Sequence, residues 1–294
     1  MERPGEPATD DRGPHRLAVL GAGVMGTNIT TLALGHGVPV TLIDVDPARL
    51  GEASELIARQ LRMARLMNAL PEGVETGELR TGTAVEDAAD ATAVIEAVTE
   101  DAGIKAEVLA KASAVVRPGT LIVSNTSSIP IDELAASVPD PERLVGVHFM
   151  NPTYLIPTVE VIRGPRTADS AMAAVTALLT AVDRRPIEVN DGPGFVTSRI
   201  LHRMINDAVR VVEEGRASAE SVDALMQGCL GHRTGPLRTA DLIGLDNLAD
   251  SLRVLHERTG DEGFRPAGLL VRMVSEGRLG RKNGRGFYEY GEAS

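Results

Sequence analysis

The chain has no tryptophan, a single cysteine and, in 294 residues, only four phenylalanines and three tyrosines. Few flat rings means few platforms on which unpaired bases could stack. Positive charge is also in deficit: 30 Lys and Arg stand against 41 Asp and Glu, for a formal net charge of −11. That balance works against attraction to a phosphate backbone, so no nucleic-acid partner is expected. Cys229 alone excludes an internal disulfide and a cysteine-rich metal centre, and it fits a reducing compartment. No His, Asp and Glu cluster has ligand spacing, so no metal is expected. Long apolar runs are missing too. None approaches the roughly 18 to 20 residues that cross a bilayer, and no membrane association is expected. The opening MERPGEPATDDRGPH lacks the apolar stretch of a signal peptide, and residues 1–15 are expected to form a flexible tail on a soluble, cytoplasmic protein.

What is present is ordinary for a folded chain: 43% hydrophobic and 24% charged residues, enough for two domains at this length. From Arg16, RLAVLGAGVMGTNIT runs an apolar segment into glycines and on into a helix-compatible stretch. VTLIDVD then makes a second strand, ending near Asp44 and Asp46, with Pro47 suited to a first helical turn. Residues 48–70 carry Leu50, Leu56, Ile57, Leu61 and Leu66 at helical spacings, which predicts a long helix. PEGVETGELRTG reads as a loop. Strands are expected at DATAVIEAV, TLIVSN, RLVGVHFM and VEVIRG, with helices over 103–115 and 168–182. Alternation of this kind implies an α/β domain with a mostly parallel, doubly wound sheet, placed at residues 16–190. Beyond Gly192-Pro193-Gly194 strand runs disappear. Val196, Ile200, Met204, Ile205, Val209 and Val212 trace an apolar stripe, and residues 191–294 are expected to form an all-α domain. The closing GRKNGRGFYEY carries an Asn283-Gly284 turn signal before a short aromatic strand or extended tail.

Gly21, Gly23 and Gly26 form G-x-G-x-x-G between the first strand and the first helix, with Asp44 following 18 residues later. The three glycines serve different physical ends, namely a tight turn, close approach of backbone to a diphosphate, and close packing of helix on strand. Asp44 suits the two ribose hydroxyls and repels a 2′-phosphate, which favours NAD over NADP as the cofactor. A plainer role for Asp44, capping the helix that starts at Pro47, would leave the glycines with nothing to approach.

Of six histidines, His148 alone ends an apolar strand, where an open parallel sheet presents groups to its ligand crevice. Glu160 lies between Val159 and Val161, and a buried acid needs a partner such as an imidazole, although spacing by itself does not establish contact. Cys229, with His232 three residues on, has no acid or oxyanion loop to make it a nucleophile.

SNTSS at 124–128, GVHFMNP at 146–152, VEVIRG at 159–164, GPGF at 192–195, GPLRTADLIGLD at 235–246 and GRKNGRGFYEY at 280–290 together resemble the 3-hydroxyacyl-CoA dehydrogenases, over about residues 16–290. The resemblance implies an N-terminal NAD domain, a helical C-terminal domain for substrate binding and dimerisation, and an acyl thioester substrate. It matches His148 to the catalytic histidine, Glu160 to its carboxylate partner and Ser127 to a serine contacting substrate and cofactor. Glu100, Lys105, Asn125, Asn151 and Lys282 match positions near the cofactor, although Glu100, Lys105, Asn151 and Lys282 read alone as ordinary surface or capping residues.

Two departures stand out. Ser198 occupies the place of an active-site asparagine, with a shorter reach. Met67 stands where the family supplies a lysine to the CoA phosphates, with Arg59, Arg62 and Arg65 nearby as substitutes or simply as a solvated helix face. They lean towards a thioester carried on an acyl carrier protein, of the glyceryl or hydroxymalonyl type used for polyketide extender units, as an alternative to CoA. A non-catalytic NAD-binding protein and a dehydrogenase of free hydroxy acids are the other readings; retention of Ser127, His148 and Glu160 together opposes the first of these.

Overall fold

The computed structural model describes residues 15–291, so the expected tail lies almost wholly outside the described residues. The chain divides into two compact units, Met1–Asp191 and Gly192–Ser294. The first contains β1 (Leu17–Leu20), α1 (Val24–Gly35), β2 (Val40–Ile43), α2 (Pro47–Leu66), β3 (Leu79–Gly82), β4 (Ala93–Glu96), α3 (Ala102–Val115), β5 (Leu121–Ser124), α4 (Ile131–Ala135), β6 (Leu144–His148), β7 (Thr158–Arg163), α5 (Asp169–Ala181) and β8 (Arg185–Asn190). The second contains α6 (Thr197–Glu213), α7 (Ala219–Leu230), α8 (Pro236–Ile243), α9 (Leu245–Thr259) and α10 (Gly268–Ser275).

The sheet runs in the order β3-β2-β1-β4-β5-β6-β7-β8, parallel throughout except between β6 and β7. β1, β4 and β5 are buried along their whole length. Helices cover such strands on both faces, which is why they read as near-continuous apolar runs. Strand order reverses between β1 and β4, and ligands enter α/β sheets at the crevice such a reversal opens beyond the strand ends.

β3 corrects the loop expected there. Only Leu79 of its four residues is apolar, so an edge strand of Leu-Arg-Thr-Gly leaves no alternating pattern to read. The antiparallel step has a simple cause: residues 149–157 are too few for a helical crossover, so the chain turns back on itself. α2 starts where Pro47 predicts, with Asp46 accepting the Ala48 amide at 2.9 Å. It ends at Leu66, short of the expected residue 70, because Asn68 adopts a left-handed φ of 53°.

In the helical unit, the single apolar stripe expected on α6 resolves into two rows. Ile205 and Val209 are fully buried in a core with Leu237, Leu245, Leu248 and Leu252, whereas Val196 and Ile200 are exposed. Val196, Ile200 and Met204 follow one i, i+4 ridge and Ile205 and Val209 another, about 140° round the helix from Ile200 to Ile205. Two buried carboxylates tie the C-terminal segment down. Asp223 accepts the Leu237 and Arg238 amides at 2.8 and 2.9 Å and the Tyr288 hydroxyl at 2.8 Å. Asp241 accepts the Phe287 and Tyr288 amides and the Tyr290 hydroxyl. Burial and the Asp241 carboxylate push the Tyr290 phenol up to about 12. Residues 280–290 thus form a short 3-10 turn and two isolated bridges rather than a strand. Among the described residues no helix is long and apolar enough to cross a membrane.

Candidate active site

The glycine turn leaves β1 at Gly21, whose φ of 102° suits glycine. A Cβ there would lie 2.7 Å from the Ala97 carbonyl oxygen at the end of β4, so the glycine lets the two central strand ends approach. A Cβ on Gly26 would fall 1.8 Å from the Gly21 oxygen, so α1 can pack this closely on the turn only without a side chain. Gly23 is the opposite case. A Cβ on it meets nothing within 4 Å, and as N-cap of α1 it offers no side chain to the helix amides. Open space in front of uncapped N–H groups fits a diphosphate.

Asp44 is largely buried beside this turn. One carboxylate oxygen accepts the Ala22 amide at 2.8 Å and the other the Asp46 amide at 3.0 Å. The capping role falls to Asp46 instead. Arg49, which carried no signal in the sequence, stands 3.9 Å from the Asp44 carboxylate with its side chain more than half exposed. Together the turn, the helix end and Asp44 could hold a dinucleotide.

His148 and Glu160 are cross-strand partners in β6 and β7, and His148 Nδ1 lies 2.9 Å from Glu160 Oε2. Their side chains are 12% and 6% exposed. The hairpin therefore converts a spacing of twelve residues into direct contact, in a setting dry enough to strengthen the bond. The carboxylate holds Nδ1 and so orients the ring.

Glu100 organises the loop after β5. Its Oε1 receives the Thr126 hydroxyl at 2.6 Å, the Ser127 amide at 2.8 Å and hydroxyl at 3.1 Å, and the Ser128 amide and hydroxyl at 3.2 Å. Burial alone would raise its pKa; the Lys105 ammonium and the Thr126 and Ser127 donors outweigh it and hold the carboxyl below its ordinary range. Ser127 gives Glu100 both its amide and its hydroxyl proton and stays partly exposed. Lys105 overturns the surface reading: its side chain has no exposure at all, and its ammonium lies 2.7 Å from Glu96 and 3.2 Å from Glu100.

Asn125, also buried, accepts the Phe149 amide at 3.2 Å and so ties the end of β5 to the end of β6. Asn151 is exposed and precedes a cis bond to Pro152. Ser198 and Lys282 belong to the helical unit. Ser198 is buried in the first turn of α6, and Lys282 pairs with Asp246, holding that carboxyl below its usual range against the effect of burial. Glu96 was not among the residues singled out by the sequence, although an acid inside AVIEAV is the same signal that marked Glu160.

Residues 16–192 match the family described as 3-hydroxyacyl-CoA dehydrogenase, NAD binding domain, and residues 194–290 match 3-hydroxyacyl-CoA dehydrogenase, C-terminal domain. The chain is 39% identical over 277 residues to a Deinococcus radiodurans protein named probable 3-hydroxybutyryl-CoA dehydrogenase, covering 94% of this chain and all of the relative. It is similar to the crystal structure of M. tuberculosis FadB2, with a TM-score of 0.89 and 36% identity over 94% of this chain and 99% of that one. A comparable match is the (S)-3-hydroxybutyryl-CoA dehydrogenase PaaH1 of Ralstonia eutropha, with a TM-score of 0.86 and 36% identity over 95% and 100% of the two chains.

Proposed function

This chain belongs to the 3-hydroxyacyl-CoA dehydrogenase family and is an NAD-dependent oxidoreductase; from that premise we propose that His148 is its general base and acid, acting on the hydroxyl of a 3-hydroxyacyl-CoA such as 3-hydroxybutyryl-CoA. The observation that carries this is the His148–Glu160 contact at the end of β6. Gly21, Gly23, Gly26 and Asp44 hold the dinucleotide, with Glu100, Asn125 and Asn151 towards its nicotinamide end and Lys105 supporting Glu100 from beneath. Bound NAD supplies the hydride acceptor for oxidation and, reduced, the donor for the reverse reaction. In oxidation His148 Nε2 takes the substrate hydroxyl proton; in reduction the imidazolium returns a proton to the forming alkoxide. Glu160 keeps Nδ1 protonated and offsets the positive charge of the ring. Ser127 orients the reacting oxygen: its hydroxyl exchanges the bond to Glu100 for one donated to the substrate oxygen, whose own proton goes to His148. Ser198 and Lys282 are assigned to the site by their match to the family alone.

His148→Gln should lower turnover of 3-hydroxybutyryl-CoA with NAD by about a hundredfold or more while NADH still binds, the range general acid–base catalysis supplies. Unchanged turnover would remove His148 from the mechanism. A carrier-bound substrate is the second reading, favoured by Ser198 in place of asparagine and by Met67, half exposed at the end of α2. Comparing NADH formation on 3-hydroxybutyryl-CoA and on a glyceryl-loaded carrier protein decides between them, and brisk turnover of the CoA ester removes the motive for the carrier. Exposed Ile200, Leu225 and Leu230 support pairing of the helical unit with a second copy, and the free thiol of exposed Cys229 fits the cytoplasm.

A further inference from the structure

Beneath the Ser127 loop lies a row of three charges that the proposed mechanism does not use directly. Glu96, the last residue of β4, is fully buried, and so is Lys105 on α3. Oε1 of Glu96 takes the Lys105 ammonium at 2.7 Å and the Val98 amide at 2.8 Å; Oε2 takes the Ser124 hydroxyl at 2.6 Å. Glu96 and Ser124 face each other in the β4–β5 register, so this acid is fixed by two strands rather than by a loop. Lys105 also reaches the Val98 and Asn125 carbonyls, both at 3.4 Å. Its remaining contact is Glu100, whose two oxygens divide their work: Oε2 faces Lys105 and Oε1 gathers the donors of Thr126, Ser127 and Ser128.

A buried ammonium with one anionic partner follows that partner wherever it moves. With a second anion anchored in the sheet, it becomes a fixed post. We propose that Glu96 is a positioning residue for the reaction: through Lys105 it holds the Glu100 carboxylate in place, and through Glu100 it sets where the Ser127 oxygen stands. The inference rests on Ser127 meeting the reacting hydroxyl. It explains why a parallel sheet carries an acid at a position with no exposure, where an apolar residue would cost less to bury. The strand ends also hold His148, by way of Asn125 and the Phe149 amide next to it, so sheet geometry places both His148 and the Ser127 hydroxyl.

The test is Glu96→Gln, which keeps the shape and a hydrogen-bonding head but removes the anion. Steady-state kinetics with 3-hydroxybutyryl-CoA and NAD should show kcat down about tenfold, with KM for the thioester and the Kd for NADH each within about twofold of wild type. A purely structural role would lower Tm without splitting kcat from KM. The double variant Glu96→Gln/Lys105→Met should be no slower than Lys105→Met alone, since Glu96 acts through that lysine; a further tenfold loss overturns the relay. If Glu96→Gln does not fold, Ser124→Ala is read in the same way, with a two- to threefold loss of kcat expected and unchanged kcat contradicting the proposal. His148→Gln in the same assay separates the two ideas. Loss of activity there with wild-type kcat in Glu96→Gln sinks the positioning role alone, whereas a fully active His148→Gln sinks the reading on which it rests.

Discussion

Both units of this chain bury carboxylates, and they employ them differently. In the helical unit Asp223 and Asp241 accept backbone amides and tyrosine hydroxyls, all neutral and all fixed by the fold. In the sheet unit Glu160 meets an imidazole and Glu96 and Glu100 meet an ammonium, at or just past the ends of strands. An anion solvated by peptide donors holds chain segments together. An anion facing a titratable ring or a cation biases where a proton or a charge resides, and that is what a reaction draws on. Chemistry should therefore be lost by neutralising carboxylates in one unit and stability by doing so in the other.

The sharpest break of that contrast is Glu160→Gln. It should cut kcat by about a hundredfold, because the ring loses both its orientation and its counter-charge, while Tm stays within a few degrees; equal losses of kcat and stability would place Glu160 with the aspartates. Next in size is Asp241→Asn. Its amide group would face N–H donors with a donor of its own, so unfolding of the helical unit should become easier by about 2 to 4 kcal/mol, visible in urea titration. A change below the error of the titration would show that those amides find other acceptors.

The smallest effect is in pH dependence, and it has opposite signs for the two acids sharing Lys105. Glu100 has a lowered value, so the folded chain binds its proton less tightly than the unfolded chain. Its stabilisation is complete above the ordinary carboxylate range and disappears as pH falls through the depressed value. For Glu96, burial raises the value against the pull of Lys105; its contribution is present below the ordinary range and is lost as pH rises through the raised one. Replacing Glu100 by glutamine should flatten the acid-side fall in the urea midpoint, and a steeper fall in the variant would reverse the assignment.

Much of the sheet was legible because buried parallel strands such as AVIE and LIVS are apolar up to their last residue, and the glycine turn was legible because its spacing is local. β3 was not, since an edge strand with Arg80 and Thr81 has no face to mark. The direction of β7 was hidden for another reason: strand polarity is set by the length of a connection, and no residue in VEVIRG records it. His148 and Glu160 each stood out as polar groups in apolar strands, yet their contact depended on that turn. Lys105 was misleading in isolation, as a helical lysine is usually solvated. The signal lay in its companions, for it shares a buried face with Leu109 and Ala112, and a strand acid, Glu96, sits nine residues earlier. A lysine within one apolar stripe and a glutamate within another predict each other, because neither can be buried charged alone.

The proposed proton carrier is a single imidazole held by one carboxylate. A double-mutant cycle on kcat tests this most directly, using His148→Gln, Glu160→Gln and the pair together, each checked for NADH binding. The double variant should be no slower than His148→Gln alone, since Glu160 has nothing to hold once the ring is gone. Losses that multiply would mean that Glu160 serves the reaction independently of His148, and would contradict that role.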